Sequence, residues 1–353
     1  MNGQDVTSPR LAIGRAPLVP WDGREPEPSD WPVLVTGAGG FVGGHLVKAL
    51  LARGENVRAA DIRPSAEWKQ YHIRAVNEAG WDLGHYPSAR AVAEGCDVIY
   101  HLAAQAGGMG YISTHKADCT LSVLADACMI KAARETGARI FFSSSACVYP
   151  LSLQQSPDAP DLAEHMTWPA EPEEAYGLEK LFAERMYLSF AEDYGVQVRI
   201  GRYQSIFGPA GVYKGGREKA PTAFCRKIAA ARLTGEREIE AWGDGTAIRT
   251  FTYVDDAVAA TLAITAGDYG QPLNVGADET ASIAELAEMV ADIARYPVTV
   301  RWVPGPVGVP GRRGCDTALV REKAGWKAQV SLREGLERTF QWVYAQVKAE
   351  LGL

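Results

Sequence analysis

The amino-acid sequence predicts an α/β protein: a doubly wound parallel sheet with a smaller C-terminal α/β substrate-binding domain. Two observations carry the first part. Short apolar runs alternate with helical stretches from residue 33 to residue 200, and a glycine-rich turn follows the first run directly. Such alternation implies parallel strands, because a parallel pair cannot be closed by a tight turn and needs a crossover helix. Beyond residue 205 the chain becomes irregular and richer in Gly, Pro and basic residues, which sets the smaller domain apart.

The first strand is Val33-Leu34-Val35-Thr36, an apolar run stopped by glycines, as a strand buried on both faces requires. His45 to Arg53 places Leu46, Ala49 and Leu50 at helical spacing, and Gly54 ends it. Val57 to Asp61 is the second strand. Asp97 to Leu102, Arg139 to Ser143 and Val196 to Ile200 are further strands, with helices over Val123 to Thr136 and Glu179 to Tyr194. The resulting division is an irregular arm over 1–30, a sheet domain over 31–204 with a returning strand near 249–256, and a mainly substrate-binding domain over 205–353.

The 353 residues are 47% hydrophobic and 22% charged, which is enough apolar material for a large core. A net charge of −7 gives no general electrostatic reason to bind nucleic acid or an anionic membrane. The six cysteines form no CxxC pair and the six histidines no HxxxH or HExxH spacing, so neither a disulfide framework nor a metal site is expected. No apolar run reaches membrane-spanning length, and the start lacks a signal-peptide layout; the expectation is a cytoplasmic protein. The Pro-rich arm is expected to be irregular, with a subunit contact as the place where it could order.

Gly37, Gly40 and Gly43 form GxxGxxG between the first strand and its helix, with Phe41 and Val42 inside the motif. Glycines let backbone approach a pyrophosphate at the positive end of a helix, although a plain tight turn has the same composition. Asp61, 18 residues past Gly43 and at the end of the second strand, decides for the dinucleotide reading, a Rossmann domain. Its carboxylate accepts ribose hydroxyls and repels a 2′-phosphate, which selects NAD over NADP. Arg63 reads either as a phosphate contact or as a solvated surface charge, and the second is preferred beside Asp61.

Tyr176-Gly177-Leu178-Glu179-Lys180 is YxxxK, whose ends share one helical face. An ammonium there favours the phenolate and lowers the tyrosine pKa towards working pH. Ser143-Ser144-Ser145 at a strand end completes the set. Together these residues resemble the extended short-chain dehydrogenase/reductases. Longer stretches resemble the GDP-mannose 3,5-epimerase family: Gly107 to Ile112, Ser144 to Pro150, Trp168 to Pro172, Ala175 to Lys180, Lys214 to Lys227 (KGGREKAPTAFCRK), Trp242 to Gly245 and Pro304 to Pro306.

That resemblance, over residues 31 to 345, implies a reaction. The sugar is oxidised at C4 by NAD with Tyr176 as base and Lys180 in support. The ketone acidifies C3 and C5, Cys147 and Lys219 invert those centres as an acid/base pair, and C4 is reduced again. Ser145 belongs to the same catalytic set, and Asp82 is implied as an adenine contact. Substrate contacts are implied at Gly107, Ser145, Ala146, Cys147, Ser205, Glu218, Lys219, Ala220, Lys227, Ala247, Arg249 and Arg312. Cys147 by itself reads better as a small packed residue, and Lys219 as part of a solvated basic loop; the surrounding match turns both readings towards catalysis. The resemblance also implies a homodimer through the helices of 123–136 and 179–194.

Five positions depart from the family pattern. Ser205 stands for Asn, Ala247 for Gln, Ser122 for Asn, Gln105 for Asp and Pro310 for Arg. They remove polar reach around the substrate. A 4-epimerase of another nucleotide-linked sugar therefore stays open, as does a non-catalytic NAD-binding regulator. A 4,6-dehydratase is disfavoured by Ala146-Cys147, where those enzymes carry an Asp-Glu pair.

Overall fold

A computed structural model of the chain describes residues 33–305 and 310–353, and the expected N-terminal arm lies outside them. The strands are β1 (Val33–Thr36), β2 (Val57–Asp61), β3 (Val76–Ala79), β4 (Val98–His101), β5 (Arg139–Ser145), β6 (Val198–Tyr203), β7 (Ile206–Phe207), β8 (Glu238–Trp242), β9 (Ile248–Thr250), β10 (Thr252–Tyr253), β11 (Pro272–Val275), β12 (Thr280–Ser282), β13 (Thr299–Val303) and β14 (Arg312–Arg313). The helices are α1 (Phe41–Ala52), α2 (Tyr86–Ala93), α3 (Met109–Ile112), α4 (Lys116–Thr120), α5 (Ser122–Thr136), α6 (Glu174–Tyr194), α7 (Ala220–Thr234), α8 (Val254–Ala266), α9 (Ile283–Ile293), α10 (Ala318–Ala324) and α11 (Leu332–Glu350).

Seven strands form one sheet in the order β11-β6-β5-β4-β1-β2-β3, and every pairing in it is parallel. Side chains alternate across it as strand geometry demands. Val33 and Val35 enter the core layer that contains Leu46 and Leu50 of α1 and Val254 and Val258 of α8. Leu34, Ile140 and Phe142 enter the opposite layer with Met129 and Ile130 of α5 and Tyr187 of α6. The sheet is therefore wound on both faces, and the expected Rossmann architecture is present.

The chain returns to this sheet later than the sequence reading placed it. The stretch near 249–256 makes two short strands that pair elsewhere: β9 with β12 and β14, β10 with β7. The seventh sheet strand is β11, laid beside β6 after the crossover helix α8. Phe251 and Tyr253 of this segment are buried in the layer under the sheet and not in it. The small domain is built from β8 and β13, the β12-β9-β14 sheet, and helices α7, α9 and α11, which share one apolar cluster. No helix among the described residues is long and apolar enough to cross a membrane.

Candidate active site

A cavity of about 1800 Å³ runs from the turn after β1 to β9 and β14 in the small domain. Sites for one small ligand are commonly about 300–1,000 Å³, so this one has room for a cofactor and a substrate together. At the sheet end Gly37 has φ 67°, and a Cβ on it would lie 2.9 Å from the Leu102 and Ala103 backbone. A Cβ on Gly43 would lie 2.2 Å from the Gly37 carbonyl oxygen. Backbone thus packs on backbone, and Gly40 leaves the start of α1 without a side-chain cap. Free amides at a helix start form a cradle for a pyrophosphate. Phe41, Val42, Asp61 and Asp82 line the same end.

Asp61 is buried and highly coordinated. The Gly39 amide donates to Oδ2 (3.0 Å), and Arg63 donates through its amide (3.0 Å) and Nε (2.9 Å) to Oδ1 and through Nη2 (2.8 Å) to Oδ2. Arg63 is therefore not the solvated charge preferred from sequence. Two residues beyond the acid, its planar fork folds back onto both carboxylate oxygens. The glycine cradle and the acid closing β2 together fit a dinucleotide carrying an unphosphorylated ribose.

The middle of the cavity holds the YxxxK pair. Helix α6 begins at Glu174, five residues earlier than the periodicity suggests, so Tyr176 and Lys180 both sit in its opening turns. Lys180 is buried, 3.4 Å from Asp126 Oδ2 and 3.4 Å from Glu179 Oε2. Asp126 in turn meets His101 Nε2 at 2.9 Å, and His101 Nδ1 meets Thr36 Oγ1 at 2.7 Å. Burial works against the Lys180 charge, but Asp126 and Glu179 outweigh it and raise the pKa. Burial also works against the Asp126 carboxylate, and Lys180 with His101 holds it in the charged form, its pKa lowered. Burial pushes the neighbouring Glu179 up, against the pull of Lys180. The phenol departs from expectation. Lys180 and a hydrogen bond with Ser145 pull its pKa down, but burial is larger and the net shift is upward.

At the far end Cys147 lies in a 3₁₀ turn directly after β5, its amide donating to Ser145 Oγ (3.2 Å). The thiol donates to Glu173 Oε2 (3.1 Å), which also accepts from Arg313 Nη2 (2.8 Å). Burial, with Glu173 beside it, pushes the thiol up to about 12. Lys219 stands at the N-cap of α7. Burial lowers its pKa, the Arg313 charge adds to that, and the Cys147 thiol stands beside it. Arg249 donates to the carbonyls of Ile248 (2.7 Å) and Pro310 (2.7 Å), and burial, aided by Arg313, lowers its pKa to about 10. An arginine bonded only to carbonyls keeps its positive charge available for an anionic ligand.

The structure brings Gly107, Ser145, Ala146, Cys147, Ser205, Glu218, Lys219, Ala220, Lys227, Ala247 and Arg249 to this one cavity. Arg312 is the exception. It bonds Asp161 (2.7 Å) and points away, while its neighbour Arg313 lines the cavity. Along β14 adjacent side chains take opposite sides, so only one of the two arginines can face inward. Ser205, at φ 37°, occupies the left-handed region that an Asn tolerates better than a Ser. Gln105 and Ser122, two of the departures, meet through the Gln105 amide and Ser122 Oγ (2.9 Å). Sequence reasoning missed Glu173, Arg313, Asp126 and His101. Their signal is burial beside a partner distant in the chain, which no local pattern reports.

The NAD dependent epimerase/dehydratase family model matches residues 33–276. GDP-mannose 3,5-epimerase of Arabidopsis thaliana is 39% identical over 333 residues, covering 91% of this chain and 85% of the relative. GDP-mannose 3,5-epimerase 1 of Oryza sativa subsp. japonica is 38% identical over 331 residues, with the same shares of 91% and 85%. The solved UDP-glucose 4-epimerase of Thermotoga maritima superposes with a TM-score of 0.79 at 24% identity, covering 89% of this chain and 99% of that one; this is likeness of fold.

Proposed function

The chain belongs to the NAD dependent epimerase/dehydratase family, and from that premise we propose that it epimerises a GDP-linked hexose at C3 and C5 through transient oxidation at C4. The observation that carries the reading is that one cavity brings together two proton-handling pairs, Tyr176 with Lys180 and Cys147 with Lys219. One pair suffices for a change at C4 alone. The second has a use when a ketone at C4 has made the adjoining carbons acidic.

NAD would be held by the Gly37–Gly43 cradle and would supply the hydride acceptor and donor for C4. Tyr176 takes the proton of the C4 hydroxyl, helped by the Ser145 hydroxyl and the Lys180 ammonium. Lys180 is held charged by Asp126, so the phenolate always forms next to a cation. Cys147 and Lys219 reach the sugar from different elements, the turn after β5 and the start of α7, and exchange protons at C3 and C5. Tyr176 finally returns its proton as C4 becomes an alcohol again. Arg249 and the start of α7 suit the diphosphate. The GDP moiety rests on the plant relatives, whose names specify GDP-mannose.

A second reading, a 4-epimerase of a nucleotide-linked sugar, is favoured by one observation: the Cys147 thiol is engaged by Glu173 and held protonated. Incubating the NAD-loaded protein with GDP-mannose and a panel of other nucleotide sugars in D₂O separates the two. Deuterium at C3 and C5 of GDP-mannose is the expected result. Inversion at C4 with no deuterium anywhere gives the second reading the lead.

The homodimer belongs to the same reading. Leu121 and Leu124 at the start of α5 and Leu178 and Phe182 on α6 are each more than half exposed, an apolar strip that a second copy would cover. Light scattering at micromolar concentration should give twice the chain mass. The six free cysteines suit a reducing, cytoplasmic setting, and cell fractionation checks it.

A further inference from the structure

Glu173 and Arg313 form a buried ion pair against the Cys147 sulfur. Glu173 is 1% exposed and Arg313 8% exposed. One carboxylate oxygen, Oε2, accepts both the thiol (3.1 Å) and Arg313 Nη2 (2.8 Å), while Arg313 Nη1 lies 3.8 Å from the same sulfur. Gln154, itself fully buried, fixes the guanidinium by accepting from Nε (2.6 Å), and is anchored in turn to the carbonyls of Tyr149 (3.2 Å) and Pro150 (3.0 Å). The second oxygen of Glu173, Oε1, is buried with no hydrogen-bond partner among the described residues. An under-satisfied carboxylate in a dry site acts strongly on any proton beside it.

We propose that Glu173 is a positioning residue that keeps the proton on Cys147 before inversion, and that Arg313 takes up the thiolate charge after it. This makes Cys147 the acid of the pair and Lys219 the base. The inference rests on the reading of these two residues as an inverting pair. The geometry gives each group its part. A thiol whose hydrogen is bonded to a carboxylate resists ionising, because the thiolate would face that carboxylate's charge. Among the described residues no carboxylate pairs with Lys219 to hold its proton. In the step, the Lys219 nitrogen takes the proton from the carbon beside the C4 ketone, and the C–H electron pair becomes the enolate. The enolate carbon takes the Cys147 proton, forming the new C–H bond and breaking S–H. Thiolate and ammonium remain, the first beside Arg313, and the proton returns from nitrogen to sulfur to restore the starting state.

The test follows alkylation of Cys147 by iodoacetamide in the NAD-loaded protein across pH, read on its own peptide by mass spectrometry. The midpoint reports the thiol pKa and the plateau its accessibility. In Glu173→Gln the midpoint should fall by at least one pH unit, about a tenfold higher rate at pH 8, while the plateau is unchanged. Turnover should lose kcat with KM held. An unchanged midpoint in the folded variant overturns the proposal. If Glu173→Gln leaves Arg313 unpaired and does not fold, the double change Glu173→Gln with Arg313→Gln keeps a neutral pair. Its midpoint should still fall below wild type, and equality with wild type overturns the proposal. Failure of the parent reading looks different: the midpoint shifts as stated, but deuterium enters neither C3 nor C5 in the wild type.

Discussion

Lys180 and Lys219 line the same cavity, and one difference in their surroundings sends them to opposite states. Lys180 sits in the sheet domain with Asp126 and Glu179 at 3.4 Å each, and its pKa is raised. Lys219, at the start of α7, has a neutral thiol and an arginine beside it, and its pKa is lowered. Burial works against the charge of both, so the direction of that effect is not what separates them. The anion decides: it turns one lysine into a fixed cation for redox chemistry and leaves the other free to hold or release a proton. The same logic separates the two arginines of the far end. Glu173 raises the pKa of Arg313, and Arg249, bonded only to carbonyls, is lowered to about 10.

The comparison can be broken most sharply by removing one lysine at a time. Lys180→Met should reduce every measured activity by roughly 10³ or more, including deuterium uptake at C3 and C5, because without the ketone those protons are not acidic. Should exchange persist at the wild-type rate, oxidation would not depend on this cation. Lys219→Met should reduce inversion by roughly 10²–10⁴ and spare hydride movement at C4, followed with a substrate deuterated at C4. An equal loss of both steps would show that the two lysines are not separated in function.

Asp126→Asn addresses the anion itself. Removing one partner of a buried pair costs about 3–5 kcal/mol, read by urea denaturation at pH 7. The sign with pH follows from the direction of the Asp126 shift. Its folded pKa is depressed, so its contribution is complete above about pH 4 and is lost as pH falls through the folded value. The gap between variant and wild type should therefore narrow in acid, and a constant gap would remove the charge from the explanation. The smallest expected effect needs no substitution. With lysines reductively ¹³C-methylated, the Lys219 signal should titrate below the usual value of about 10.4 and the Lys180 signal above it. Coincident titrations would erase the contrast.

Much of the sheet domain was legible in the sequence, because strands buried on both faces are continuous apolar runs and the helices between them keep their period. The GxxGxxG turn and YxxxK were legible for a related reason: their chemistry is local, set by residues three or four apart. The small domain was not. Strand β8 alternates over only five positions, a signal the sequence reading did not use, and β14, two residues long, offers no periodicity to detect. That Arg313 and not Arg312 lines the cavity depends on strand pairing, which the sequence does not state. Glu173 was invisible for the same reason. It lies 140 residues from Arg313, and only the fold joins them.

One packing detail described by the GxxGxxG analogy of backbone on backbone recurs inside YxxxK. A Cβ on Gly177 would lie 2.2 Å from the Cys147 carbonyl oxygen, and that oxygen also accepts the Glu173 amide at 2.9 Å. The turn carrying the thiol and the first turn of the helix carrying the tyrosine are therefore seated as one rigid piece. For anyone seeking to re-engineer the protein, this removes a degree of freedom. A library that varies residues 146–148 to alter stereochemical outcome will also displace the tyrosine, and any side chain at 177 will pry the two apart together. Redesign has to treat the pair as a single module, moved or kept whole.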